Sequence, residues 1–175
     1  MKRICKVLAL SVVSVGLLTG CGSNPSEAGL EYLQNKDYDN AIASFEKAIE
    51  KDINVADAYR GIGMVKWEQE DYAGSIEAFN SALNAGASRD GTLYNLMGCS
   101  ALNLQKYEDA ITYFEKALED SENSEDLTKE ASYNLILAYE GAGDVDSVKT
   151  KLSEYIKKYP DDEEAQEANA FWSTR

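Results

Sequence analysis

Histidine is absent from the 175-residue chain, which removes the usual base of Ser-His-Asp and Cys-His nucleophile systems and the commonest metal ligand. No carboxylates fall into a recognisable acid–base pair, so neither an enzyme activity nor a cofactor is expected. Cations are scarce, 17 Lys+Arg against 31 Asp+Glu, for a net charge of −14. That balance excludes nucleic acid, whose phosphates need a basic stripe, and electrostatic attachment to anionic headgroups. Proline occurs twice, at Pro25 and Pro160, so nothing between them interrupts a helix by lacking an N–H. Cysteine occurs three times, at Cys5, Cys21 and Cys99.

Long apolar runs are also missing, apart from Val7 to Leu18 behind the basic Lys2, Arg3 and Lys6. That run is shorter than the roughly 20 residues a spanning helix needs and suits a signal peptide. Leu18-Thr19-Gly20-Cys21 follows and resembles the lipobox of bacterial lipoproteins. The resemblance implies cleavage of residues 1–20, lipidation of Cys21, and an extracytoplasmic, lipid-anchored location at the cell membrane. An ordinary secretory signal is the alternative. Losing Lys2, Arg3 and Lys6 takes the formal charge from −14 to −17, so attachment rests on the lipid. Cys5 would go with the leader, leaving Cys99 a lone, buried thiol with no internal disulfide. Residues 21–23 form a tether of about 10 Å, which would hold the first repeat against the bilayer. Asn24-Pro25-Ser26-Glu27 then reads as a capped helix start.

The mature part is repetitive. Tyr38-Asp39-Asn40-Ala41-Ile42, Tyr72-Ala73-Gly74-Ser75-Ile76 and Tyr107-Glu108-Asp109-Ala110-Ile111 start 34 and 35 residues apart, and a weaker copy begins at Val145. Within a copy, apolar residues recur at i, i+3, i+4 and i+7, as in Tyr38, Ala41, Ile42 and Phe45, the stripe of a half-buried helix. Short polar links such as Glu70-Asp71 make helix neighbours antiparallel.

These copies resemble tetratricopeptide repeats. The resemblance implies an all-α, right-handed superhelical array over 24–162, with units at 22–55, 56–89, 91–124 and 129–162. Small residues at Gly29, Gly63 and Gly98 would let paired helices touch. Phe45, Phe79, Phe114 and Leu152 would fill the second helices. The fourth unit departs, with Ile136, Val148 and Tyr155 in place of small residues, so its helices should sit farther apart. The link Glu119 to Asp126 reads as a solvated acidic loop; it lacks the glycine and terminal glutamate of a calcium loop. Gly141-Ala142-Gly143 reads as a turn. Residues 163–175 read as a capping helix with Ala165, Ala168, Phe171 and Trp172 along one side.

In the family, the concave groove is lined by the first helix of each unit. That places Arg60, Met64, Trp67, Asn95, Cys99, Leu102, Asn103, Tyr133, Leu137 and Glu140 there. Met, Trp and amides suit a peptide or helix in a groove, although Met64, Leu102 and Leu137 also suit packing between units. The resulting expectation is a protein–protein adaptor or assembly factor at the cell envelope. A self-associating subunit, or a binder of a small ligand or cell-wall fragment, are the alternatives. The residues leave the partner, the oligomeric state and the choice of membrane open.

Overall fold

The amphipathic stripes become helices, each ended by its own local chemistry. The computed structural model describes Cys5 and residues 24–175; Cys21 and the remainder of the leader and tether lie outside the described residues. The helices are α1 (Pro25–Gln34), α2 (Tyr38–Glu50), α3 (Val55–Glu68), α4 (Tyr72–Asn84), α5 (Gly91–Asn103), α6 (Tyr107–Leu118), α7 (Glu125–Ala142), α8 (Val145–Lys158) and α9 (Glu163–Trp172). No strand occurs among the described residues. They form two compact units, one holding 24–89 and the other 90–175 with Cys5.

In the unit 24–89, α1 pairs with α2 and α3 with α4, while α3 also packs on α2 and α1. Each pair closes where a glycine meets a ring. A Cβ on Gly29 would come within 2.6 Å of Phe45, and one on Gly63 within 2.5 Å of Phe79. Ser75, fully buried at the same contact, donates its hydroxyl to the Gly63 carbonyl. Phe45 is held from a second side, because Gly61 of α3 also abuts its ring. Leu33, Ala41, Ala48, Ala58, Ile62 and Val65 complete that core.

In the unit 90–175, Gly98 meets Phe114 in the same way, with 2.5 Å to the nearest ring atom from a built Cβ. The fourth pair has no glycine at this place. Ile136, Val148, Leu152 and Tyr155 are all buried there, and α7 and α8 approach each other over less of their length than the other pairs do. The bulk of those side chains is the reason.

One turn geometry recurs. Lys36, Glu70 and Gln105 have φ of 58°, 61° and 58°, and Gly143 takes 78° in the fourth copy. At each, the next N–H reaches back to a carbonyl five residues earlier, as from Asp71 to Lys66 and from Asp144 to Tyr139. This is a left-handed helix stop. The following residue caps the next helix: Asp37, Asp71 and Asp144 accept from the N–H groups of Asn40, Gly74 and Ser147, whereas Lys106 makes no side-chain cap. The bonds from Ser147 and its N–H lower the Asp144 pKa, and those from Lys66 and the Gly74 N–H lower that of Asp71. Asn24 caps α1 by accepting from the Ser26 N–H, with Pro25 in the first turn.

Three expectations need correction. The acidic link is shorter than the sequence suggests, because Glu125 and Asp126 form the first turn of α7 behind the Ser124 cap. Carboxylates favour that end of a helix dipole. The remaining loop is tied down: Asp120 accepts from the N–H groups of Gly91 and Glu122, which lowers its pKa, and Asn123 donates to the Ala117 carbonyl. Gly141 and Ala142 are helical, and Gly141 lies against the Tyr107 ring, leaving only Gly143 as the stop. Finally, Phe171 is 48% exposed. Ala165, Ala168 and Trp172 form the stripe, and Phe171 falls beside it, with the Arg175 guanidinium 3.6 Å from its ring centroid.

The terminal helix α9 packs on α8, and one carboxylate fastens it. Asp162 accepts from the Ala165 N–H at 3.2 Å, from the Tyr155 hydroxyl at 2.9 Å and from Lys129 at 3.2 Å. Burial opposes the Asp162 charge, yet the bonds from Tyr155, Ala165 and Lys129 outweigh it and lower its pKa. The same burial, together with the Asp162 carboxylate, raises the Tyr155 pKa.

Candidate functional site

In the first unit, Arg60, Met64 and Trp67 occupy positions i, i+4 and i+7 of α3, so they share one helix face. All three are half-buried. Met64 packs against the core around Phe45, in keeping with its packing role. Trp67 differs: its indole Nε1–H is buried and has no hydrogen-bond partner among the described residues. Leaving a buried donor unmet costs about 1–3 kcal/mol.

In the second unit, α5 supplies Asn95, Cys99, Leu102 and Asn103, and α7 supplies Tyr133, Leu137 and Glu140. The two helices touch. Asn95 donates its Nδ2–H to Glu130 Oε1 at 2.5 Å, and its own Oδ1 is buried without a partner among the described residues. Asn103 donates instead to the Cys99 carbonyl of its own helix at 2.9 Å, so that donor is already engaged. Leu102 and Leu137 are buried. The Tyr133 ring lies 5.4 Å from that of Tyr155, which stands 4.8 Å from Tyr159. Tyr133 thus begins an aromatic row running from α7 through α8 to its C-cap. Glu140 is half-buried at the end of α7.

Two polar members of this face were missed by sequence reasoning. Glu130 and Asn134 are buried on α7, and Asn134 donates to Cys99 Sγ at 3.6 Å. Their spacing of four on an apolar helix was the available signal. Cys99 also departs from expectation: in the full chain it is bonded to Cys5, with Cα atoms 5.5 Å apart and a sequence separation of 94. The two backbones stand at an ordinary bridging distance, so Cys99 is not a lone thiol there. Cleavage before Cys21 would remove Cys5 and this bond with it.

Among the described residues no group of three or more His, Cys, Asp or Glu is placed to hold a metal ion. No described helix is long and apolar enough to cross a membrane. In the first unit α3 offers the half-buried Arg60, Met64 and Trp67, with the indole N–H unmet; in the second, α5 and α7 hold the buried Asn95, Leu102, Tyr133 and Leu137, with Asn95 Oδ1 unmet.

An array of antiparallel helix pairs closed by glycine–aromatic contacts defines a helical-repeat protein. The tetratricopeptide-repeat family profile matches residues 26–90 and 95–163, and the chain belongs to that family. No curated protein sequence matches it. Among solved structures it is similar to YrrB, a tetratricopeptide protein with an unusual peptide-binding site, at 23% identity and a TM-score of 0.74, over 86% of this chain and 75% of that one. It is also similar to MamA, at 18% identity and a TM-score of 0.73, over 85% and 78% of the respective chains. MamA from Desulfovibrio magneticus RS-1 gives 15% identity and 0.73, over 89% and 87%. These likenesses establish the fold.

Proposed function

We propose that the chain is a membrane-anchored adaptor of the bacterial cell envelope, held by lipid on Cys21, which docks a partner peptide or helix on the first helices of its repeats. The observation that carries the docking reading is the pair of unmet buried groups, Trp67 Nε1–H on α3 and Asn95 Oδ1 on α5. Within its own unit, each is a place where a peptide backbone group could pair, an acceptor with the indole N–H and a donor with the amide oxygen. Arg60 and Met64 flank Trp67 in the one unit, and Leu102, Asn103, Tyr133 and Leu137 belong with Asn95 to the other. The peptide-binding site that YrrB carries on the same fold supports this reading. Repeats that serve as scaffolds do not need reacting side chains, and a histidine-free chain suits a binding role rather than catalysis.

A photo-crosslinker at Trp67, with a control at the exposed Glu46 of α2, tests the docking in native envelopes. The expected result is a discrete protein adduct from position 67 only, with the crosslink mapped to one partner segment. Equal background from both positions would overturn it. The anchor is tested separately by metabolic labelling with a fatty-acid analogue: label on the wild type and none on Cys21→Ser is expected, and an unlabelled wild type would refute lipidation. The exposed Phe171 on α9 favours self-association as a second reading, to be separated by concentration-dependent mass in sedimentation.

A further inference from the structure

A pocket of about 150 Å³ lies between α6, α7 and α8, lined by residues the docking reading does not use. Leu118, Leu135, Tyr155 and Tyr159 give it apolar walls, and Lys151 and Lys158 stand among its lining residues with Ser132 and Glu154. We propose that this pocket takes an acidic side chain of a partner peptide, with the carboxylate held by Lys151 and Lys158.

Charge is the first argument. The chain carries a net −14, yet α8 alone holds Lys149, Lys151, Lys157 and Lys158 against Asp146 and Glu154. Lys158 lies 5.3 Å from the Tyr159 ring centroid, and Lys129, already paired with Asp162, lies 5.5 Å from it. Lys151 is paired to Glu154 at 3.0 Å, but both side chains are exposed, at 38% and 59%. Such surface pairs contribute about 0–1 kcal/mol, so exchange for an incoming carboxylate is easy. The second argument is the Tyr159 hydroxyl. Tyr159 is 92% buried and lines the pocket, and its oxygen has no hydrogen-bond partner among the described residues. An acceptor admitted beside it satisfies a donor the fold leaves unmet.

Size selects the occupant. The volume suits one side chain with a short apolar stem, which describes glutamate better than a sugar chain or an acyl tail. A membrane surface is disfavoured, since the carboxylates elsewhere on the chain repel anionic headgroups.

The test is amide NMR of the full chain in neutral-detergent micelles, titrated with acetyl-Ala-Glu-Ala-amide and with its glutamine counterpart. Shifts at Ser132, Leu135 and Tyr159 are expected from the glutamate peptide and not from the glutamine one. Lys151→Met and Lys158→Met, both surface changes, should each weaken binding about tenfold, and Tyr159→Phe should weaken it while leaving the spectrum folded. Equal shifts from both peptides, equal shifts from inorganic phosphate, binding indifferent to both lysines, or no shift at the pocket at millimolar peptide would each overturn the proposal. Trp67 and Asn95 resonances should stay still, so the outcome is independent of the docking faces described above.

Discussion

Replacing Gly61 by alanine sets two opposed effects against each other at one atom. Alanine is favoured over glycine inside a helix by about 0.8–1.0 kcal/mol, so an unobstructed site would be stabilised. At Gly61 the added Cβ would stand 2.3, 2.5 and 2.7 Å from three atoms of the Phe45 ring. The ring cannot swing away, because Gly29 of α1 confines it from another side and it is 1% exposed. Overpacking of a tight core costs about 1–3 kcal/mol, and an overlap exceeding an ångström belongs at the upper end. The net expectation for Gly61→Ala is a loss of about 2 kcal/mol. In a Phe45→Leu background the obstructing ring edge is gone, and the same substitution should stabilise by up to ~1 kcal/mol. The coupling is then about 3 kcal/mol, readable from urea unfolding by far-ultraviolet circular dichroism in the four chains of the cycle. Stabilisation in the wild-type background, or an identical cost in both, would refute the packing argument.

The left-handed turn residues give a second expectation. Glu70→Gly and Gln105→Gly should each stabilise by about 0.5–1 kcal/mol, and Gly143→Ala should destabilise by at least ~1 kcal/mol; thermal melts that move the other way would contradict the turn assignment. Lys106→Asp supplies the cap that α6 lacks and should add about 1 kcal/mol, checked by the shift in urea midpoint. Asp162→Ala removes a helix cap and leaves the Tyr155 hydroxyl without its acceptor, a loss of about 2 kcal/mol. Because the folded pKa of Asp162 is lowered, its contribution is complete above the unfolded value near ~3.9 and fades as pH falls through the folded one. Asp162→Ala should therefore flatten the acid limb of a stability–pH profile, and an unchanged limb would count against the latch.

Much of the fold was legible because its determinants recur. Gly29, Gly63 and Gly98 stand at corresponding places, each with a phenylalanine 16 residues on, and that pairing survives in space. Gly61 was not legible: it occurs in one copy only and acts on the preceding helix. The helix stops were hidden for a different reason. Lys36, Glu70 and Gln105 share a backbone conformation but no side-chain chemistry, so nothing in their identities announces it. The start of α7 was misjudged because glutamate and aspartate suit both a solvated link and a helix N-terminus. For the candidate faces, periodicity assigned Trp67 and Asn95 to helices, while their unmet hydrogen-bonding groups depend on neighbours remote in sequence. Tyr133 shows the converse, since its tilted ring contact with Tyr155 requires knowing how α7 meets α8.

The glycine–ring contacts also make the helix pairs unequal as kinetic units. Where a ring seats into a glycine notch, separating two helices breaks the whole contact at once, and the pair opens as a block. The α7–α8 pair lacks the notch and depends on interdigitated branched and aromatic side chains, which loosen by degrees. Transient openings should therefore concentrate at that pair, and backbone amides there are expected to exchange with deuterium sooner than those of α3 and α4. One position per repeat, glycine in three pairs and isoleucine in the fourth, would then set where the array opens first.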